Sequence, residues 1–332
     1  MKKRGVFNIS LDFELHWGCF DGTPVLNEAA KKYFINTRNA IPETLSIFKE
    51  GGIHVTWATV GMLYNKNIAE WEANKPQIIP EFNNPKVSAY EWIKANGFFD
   101  NEDPFHFAPA YIEMIKNTPH QEIGTHTYAH YFCLEEGQTK AAFEADIQKA
   151  CALAKASGIT IKSLVFPRNQ FNPTYLSVCK EAGITSIRSN PDIWYWAYSN
   201  EAGSFMKRFF RAGDAYLKFQ PIKKVYLSDI DVTTLPIQLP AARLYRPWRP
   251  KYPIENKLKM RRILNEMTAA AKSGAYYHIW WHPENFGHYP TECLQELRTI
   301  VNHFNDLHQK YGFETLTMEE TTNRLLQQKN QA

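Results

Sequence analysis

Four short segments carry side chains suited to hydrolytic chemistry, and each follows a run that reads as a buried strand. The first is Ser10-Leu11-Asp12-Phe13-Glu14. Strand side chains alternate between faces, so Asp12 and Glu14 point the same way. Two neighbouring carboxylates repel unless a proton or a cation intervenes. A metal taking one carboxylate as ligand, with the other as an adjacent base, would account for the pair. A solvated strand end is the plain alternative, and which carboxylate takes which role is open. The second segment is Glu122-Ile123-Gly124-Thr125-His126-Thr127-Tyr128-Ala129-His130. The His-x-x-x-His spacing predicts two imidazoles on one face of a helical turn, suited to a single metal ion. Spacing alone says little, because 11 histidines in 332 residues give about 0.3 such pairs by chance. His278 and His282 make a second pair. What sets His126 apart is its place directly after a predicted strand.

The third segment is Tyr277-His278-Ile279-Trp280-Trp281-His282-Pro283-Glu284, in which the strand reads as ending near His282. A histidine beside a metal centre can act as general acid, since its ordinary pKa lies near the working pH. His278 reads as a core or structural histidine. The fourth is Val165-Phe166-Pro167-Arg168-Asn169-Gln170, where Arg168 could pair with a carboxylate and orient it, or simply form a surface ion pair. All four segments fall at the C-terminal ends of predicted parallel strands, the edge where active sites assemble in barrels and open α/β sheets.

The elements that must position these residues alternate. Strands are expected at Val6–Phe13, His54–Thr59, Glu122–Gly124, Lys162–Phe166, Thr185–Arg188, Tyr276–Trp281 and Phe313–Leu316. Helices are expected at Pro42–Glu50, Ala110–Asn117, Thr139–Ser157, Pro173–Glu181, Asn256–Lys272, Thr291–Lys310 and Met318–Gln327. Four helices end in Gly plus an apolar residue before the next strand: Gly52-Ile53, Gly158-Ile159, Gly183-Ile184 and Gly312-Phe313. Gly suits the left-handed position past a helix C-terminus, so this is the mark of short αβ loops in a repeating β/α architecture. Two aromatic-rich stretches, near 71–107 and 236–253, read as insertions rather than linkers. The chain is therefore taken as one domain over 1–332.

Composition excludes several classes. The hydrophobic share of 44% suffices for a large core, and the net charge of +4 with no long Lys/Arg run leaves no nucleic-acid footprint. The basic start, Met1-Lys2-Lys3-Arg4, precedes a stretch too short and polar for a secretory signal, and no apolar run approaches a membrane span of about 20 residues. A soluble, cytoplasmic protein is expected. The five cysteines form no Cys-x-x-Cys pair and read as buried thiols.

Taken in order from about Val6 to Phe286, these motifs resemble the polysaccharide deacetylase family, also called carbohydrate esterase family 4. Its acidic pair is matched by Asp12 and Glu14, its His-Ser/Thr-x-x-His motif by His126-Thr127-Tyr128-Ala129-His130, and its last motif by Ile279-Trp280-Trp281-His282. The Phe between Asp12 and Glu14 places the chain nearest an Asp-x-Asp/Glu branch, which includes enzymes acting on amides other than sugar amides. The family's third motif has Arg before Pro, whereas here Pro167 precedes Arg168. The resemblance implies an irregular (β/α)7-type barrel with the active site at the C-terminal ends of the strands. It implies a divalent metal, zinc foremost, on Glu14, His126 and His130. It further implies Asp12 as general base, His282 as general acid and Arg168 orienting Asp12. The expected reaction removes an N-acetyl group from an amino sugar in a glycan or nucleotide-sugar precursor, within cell-surface polysaccharide biosynthesis. The segment Arg243–Lys251 interleaves cations with aromatics, so Tyr245, Arg246, Trp248 and Arg249, with Trp281, are candidates to bind sugar rings and anionic groups. A solvated basic loop is the alternative. Rival readings are an amidohydrolase of a non-sugar amide, a glycoside hydrolase on a similar barrel, and an inactive glycan-binding relative.

Overall fold

The computed structural model describes residues 4–23, 25–198, 205–214, 216 and 224–331. Nine strands are found among them: β1 (Val6–Phe13), β2 (Val55–Thr59), β3 (Gln121–Thr125), β4 (Ser163–Leu164), β5 (Ser186–Ser189), β6 (Ile237–Pro240), β7 (Arg243–Leu244), β8 (Tyr276–Trp281) and β9 (Glu314–Thr315). They pair in parallel in the order β6-β5-β4-β3-β2-β1-β8-β7, with β9 beside the start of β1. β6 and β7 are two halves of one stretch. Its first half pairs with β5, the Ala242 N–H then donates to the His278 carbonyl, and its second half pairs with β8. The stretch thereby joins the two ends of the sheet and completes an irregular (β/α)7-type barrel. The first part of the expected insertion at 236–253 is thus a barrel stave. Its prolines and its brevity hide it from a periodicity argument.

The parity of β1 explains how a wholly buried strand can serve two environments. Phe7, Ile9, Leu11 and Phe13 belong to the apolar core shared with the helices, where Phe7 packs against Phe304, Phe313 and Tyr277. Asn8, Ser10 and Asp12 are equally buried but make polar contacts across the barrel interior. β8 follows the same rule, with Tyr277, Ile279 and Trp281 in the core and His278 bonded across to Ser10. The register Leu11↔Trp281 sets Asp12 level with His282, and the registers Phe13↔Thr59 and Thr59↔Thr125 set Glu14 level with His126. The N-terminal mouth is covered by the helix Met318–Gln331, whose first turn bonds Thr56, Glu122 and Asn8.

Helices occupy all seven expected spans, the first of them extended, and Ile68–Ala73, Ala89–Asn96 and Phe205–Gly213 are further helices not foreseen from the sequence. The first runs from Glu28 to Gly51 and carries Pro42 inside it rather than at its start. Its buried face of Phe34, Thr37, Ile41, Leu45 and Phe48 continues unbroken across the proline, so packing outweighs the lost backbone bond. Gly52, Gly158, Gly183 and Gly312 all take φ between 62° and 83°, as their place past helix ends requires. The stretch near 71–107 is anchored on the turn after Glu14. There the His16 N–H donates to the Phe105 carbonyl, Trp17 Nε1 donates to the His106 carbonyl, and a buried His16–His106–Asp103 chain is bonded at 2.8 and 2.9 Å.

Candidate metal centre

The ends of β1, β3, β5 and β8 bring Asp12, Glu14, His126, His130, Arg188 and His282 together. His126 Nε2 lies 2.8 Å and His130 Nε2 3.4 Å from the same atom, Glu14 Oε1. All three residues are buried, and neither Nε2 makes a hydrogen bond. Two lone-pair nitrogens and a carboxylate oxygen converging without hydrogen bonds form a mixed N/O donor set that fits one divalent cation. His282 Nε2 stands 3.8 Å from Asp12 Oδ2 and 3.9 Å from Glu14 Oε2. Its side chain is 33% exposed, so it is the open member of the group.

The electrostatics agree with that donor set. Burial alone would raise Glu14, but His282, His126 and His130 outweigh it and hold the carboxyl well below its usual range. Burial lowers His130 against the pull of Glu14, which favours the neutral imidazole that a metal requires.

The two histidines meet by a different route from the one their spacing suggests. Residues 126–130 form no helix; Thr127 and His130 sit at φ 64° and 52°. The loop is clamped from several sides. Asp146, inside the helix Lys140–Ala156, accepts the N–H groups of Tyr128 at 2.6 Å and Ala129 at 3.0 Å. The Thr127 hydroxyl accepts the Tyr131 N–H, and the Gly61 and Met62 N–H groups donate to the Thr127 and Tyr128 carbonyls. On the other side, Glu284 accepts the backbone N–H groups of Glu14 and Leu15. Glu284 is wholly buried, and its carboxyl is pushed up to about 8, by desolvation first and by Glu14 second. Gly18 is required here, because a Cβ on it would lie 1.7 Å from Glu14 Oε2. Leu15, Thr127, His130, Arg168 and Asn169 are five of the six non-glycine residues at positive φ among those described, so backbone strain concentrates around this site.

Other expected site residues are redistributed. Asp12 is gripped by Arg188 through a two-pronged pair at 2.6 and 2.7 Å, whereas Arg168 pairs with Asp21. The guanidinium of Arg188 lies 4.1 Å over Trp280 and also donates to Asn169. Trp281 faces away from the site, 1% exposed and stacked on Phe286, while its neighbour Trp280 meets His282 edge-on at 5.6 Å. Tyr245 is also core, its hydroxyl donating to Glu296 and its ring against Trp281. Arg246 is partly buried and donates to the Arg211 carbonyl, Trp248 is partly buried against Tyr289, and Arg249 is exposed. Strand parity could have found Trp280, since an inward His282 demands an inward residue at 280. Arg188 carried the same signal as the other site residues, being the last residue of a predicted strand. Asp146 is a carboxylate on the apolar face of a helix between Phe143 and Ala150, an anomaly that the pattern displays.

Comparison with known proteins gives the class. The polysaccharide deacetylase family model matches residues 17–187, more than half of the chain, and the chain belongs to that family. The match lies between the acidic pair and His282, so those residues join the site through the fold. A structure from Mycobacterium smegmatis assigned to the polysaccharide deacetylases has 12% identity and a TM-score of 0.63, covering 99% of this chain and 92% of that one. One from Pseudomonas aeruginosa PAO1, assigned likewise, has 10% identity and a TM-score of 0.58, covering 97% and 91%. A 4-alpha-glucanotransferase from Thermococcus litoralis has 13% identity and a TM-score of 0.54, covering 97% of this chain and 40% of that one. At these identities the likeness is one of fold. No curated protein matches the chain. Among the described residues, no helix is long and apolar enough to cross a membrane.

Proposed function

We propose that this deacetylase-family protein is a metal-dependent hydrolase that removes an N-acetyl group from an amino sugar, in a glycan or nucleotide-sugar precursor. The observation that carries the reading is the convergence of His126 and His130 on one oxygen of Glu14, with Asp12 and His282 alongside. A divalent cation held by Glu14, His126 and His130, zinc foremost for such a set, supplies Lewis acidity towards an amide carbonyl and towards water. Asp12, aimed by Arg188, takes a proton from the attacking water at its carboxylate. His282, open to the substrate side, gives a proton from Nε2 to the amide nitrogen as the C–N bond breaks. Acetate and a free amine result.

Substrate contacts follow from what the rim offers. Trp248 and Arg249 stand next to Tyr289 and His288, in the loop that follows His282. With Arg246 they supply an aromatic face and cations suited to a sugar ring bearing phosphate or carboxylate. We take the setting as cytoplasmic, which favours a precursor over a finished wall polymer.

The test is acetate release from N-acetylated glycan oligomers and nucleotide N-acetylhexosamines, beside linear and cyclic non-sugar amides. The reading predicts acetate from a sugar amide, abolished by chelation and restored by Zn²⁺. Turnover confined to non-sugar amides, or turnover indifferent to chelation, contradicts it.

A further inference from the structure

Beneath the site the barrel interior is polar, where such barrels ordinarily pack layers of branched aliphatic side chains. Five inward residues from β1, β5 and β8 form one chain of hydrogen bonds. Tyr276 Oη lies 3.0 Å from His278 Nδ1, and His278 Nε2 lies 2.8 Å from Ser10 Oγ. Ser10 Oγ accepts from Arg188 Nη1 at 3.1 Å, and that same Nη1 donates to Asp12 Oδ1 at 2.6 Å. All five residues are buried.

We propose that His278 is a positioning residue, acting through Ser10 to fix the in-plane angle of the Arg188 guanidinium and so the aim of Asp12. The inference rests on the reading of Asp12 as the base. Stacking on Trp280 fixes the plane of the guanidinium but leaves it free to turn within that plane. Its Nε has no hydrogen-bond partner, so the turn is set at the two Nη atoms alone. Nη2 bonds Asp12 and Asn169, and Nη1 bonds Asp12 and Ser10. Asp12 cannot be its own reference, which leaves Asn169, on a strained turn, and Ser10. A serine hydroxyl is a rotor, and His278 holds it, with Tyr276 holding the far edge of the ring. Burial, with the charge of Arg188 second, keeps His278 well below the usual histidine range, so it stands as a neutral spacer beside the cation.

His278→Asn is too short to reach Ser10, His278→Gln places an amide near the Nε2 position, and Ser10→Ala removes the link itself. His278→Asn and Ser10→Ala should each lower kcat by about 10²-fold, with KM and bound zinc unchanged, since a small misplacement of a reacting group costs about that much. The double variant should be no worse than either single one by more than about twofold, because both cut the same chain. His278→Gln should stay within about threefold of the wild type. In crystal structures of both damaged variants, the fork between Arg188 and Asp12 should be broken. Unchanged kcat, losses that multiply in the double variant, or an intact fork would overturn the proposal. Ser10→Ala keeps the test alive where His278→Asn does not fold. A wild type without turnover on any amide would count against the deacetylase reading, and the state of the fork would still decide this one.

Discussion

Asp146 offers the sharpest test of how the histidine loop is held. Its carboxylate takes two backbone N–H groups from inside the His126–His130 loop and is wholly buried. Asp146→Ala leaves both donors without a partner. An orphaned buried donor costs about 1–3 kcal/mol, so two should cost about 4 kcal/mol. Metal affinity should fall about 10–100-fold, as for a lost outer support of a ligand. The same group carries a pH signature. Burial pushes its carboxyl up to about 7 from an ordinary 3.8, against the two N–H groups that pull it down. Between those values the folded chain holds a proton that the unfolded chain has released. The stability is therefore full below about pH 4 and is lost as pH rises to about 7, with a ceiling of about 4 kcal/mol. Asp146→Asn cannot titrate. Urea unfolding in chelator between pH 4 and 7.5 should thus show the wild type losing stability relative to Asp146→Asn by up to about 4 kcal/mol. A gap that stays flat with pH, or an Asp146→Ala protein within about 1 kcal/mol of the wild type, would refute the reasoning.

Three further outcomes are expected. His282→Ala should lower kcat by about 10²–10⁴-fold while metal content, read by elemental analysis, stays unchanged. Trp281→Ala should cost about 3–5 kcal/mol in urea unfolding and leave KM unaltered in the folded fraction, because that ring packs on Phe286 and not in the site. Gly18→Ala should weaken metal binding in calorimetric titration by about tenfold or more with the fold retained, since the new methyl would occupy the place of the Glu14 carboxylate.

Much of this arrangement was legible in the sequence. Val6–Phe13 and Tyr276–Trp281 are strands with the expected bounds, and Glu14, His126 and His130 do converge at strand ends. What spacing could not convey was how His126 and His130 meet, because two residues at positive φ replace the helical turn. The partner of Asp12 was misassigned for a related reason. Arg168 lies near the family's motif in sequence, but its turn delivers Asn169 to Arg188 and leaves Arg168 with Asp21, so the cation on Asp12 comes from β5. The stave Ile237–Leu244 was obscured by prolines at 236 and 240 and by its split pairing with two different strands. Tyr245 and Trp281 looked like rim aromatics because composition carries no parity; alternation from His282 assigns Trp281 to the core.

The central claim is that one divalent ion sits on Glu14, His126 and His130, and elemental analysis of purified variants tests it most directly. About one zinc-class ion per chain is predicted for the wild type, for Asp12→Asn and for His282→Ala, and almost none for Glu14→Gln, His126→Ala or His130→Ala. Metal retained in Glu14→Gln and lost in Asp12→Asn would contradict the assignment of the two carboxylates, and metal retained in His126→Ala would contradict the centre itself.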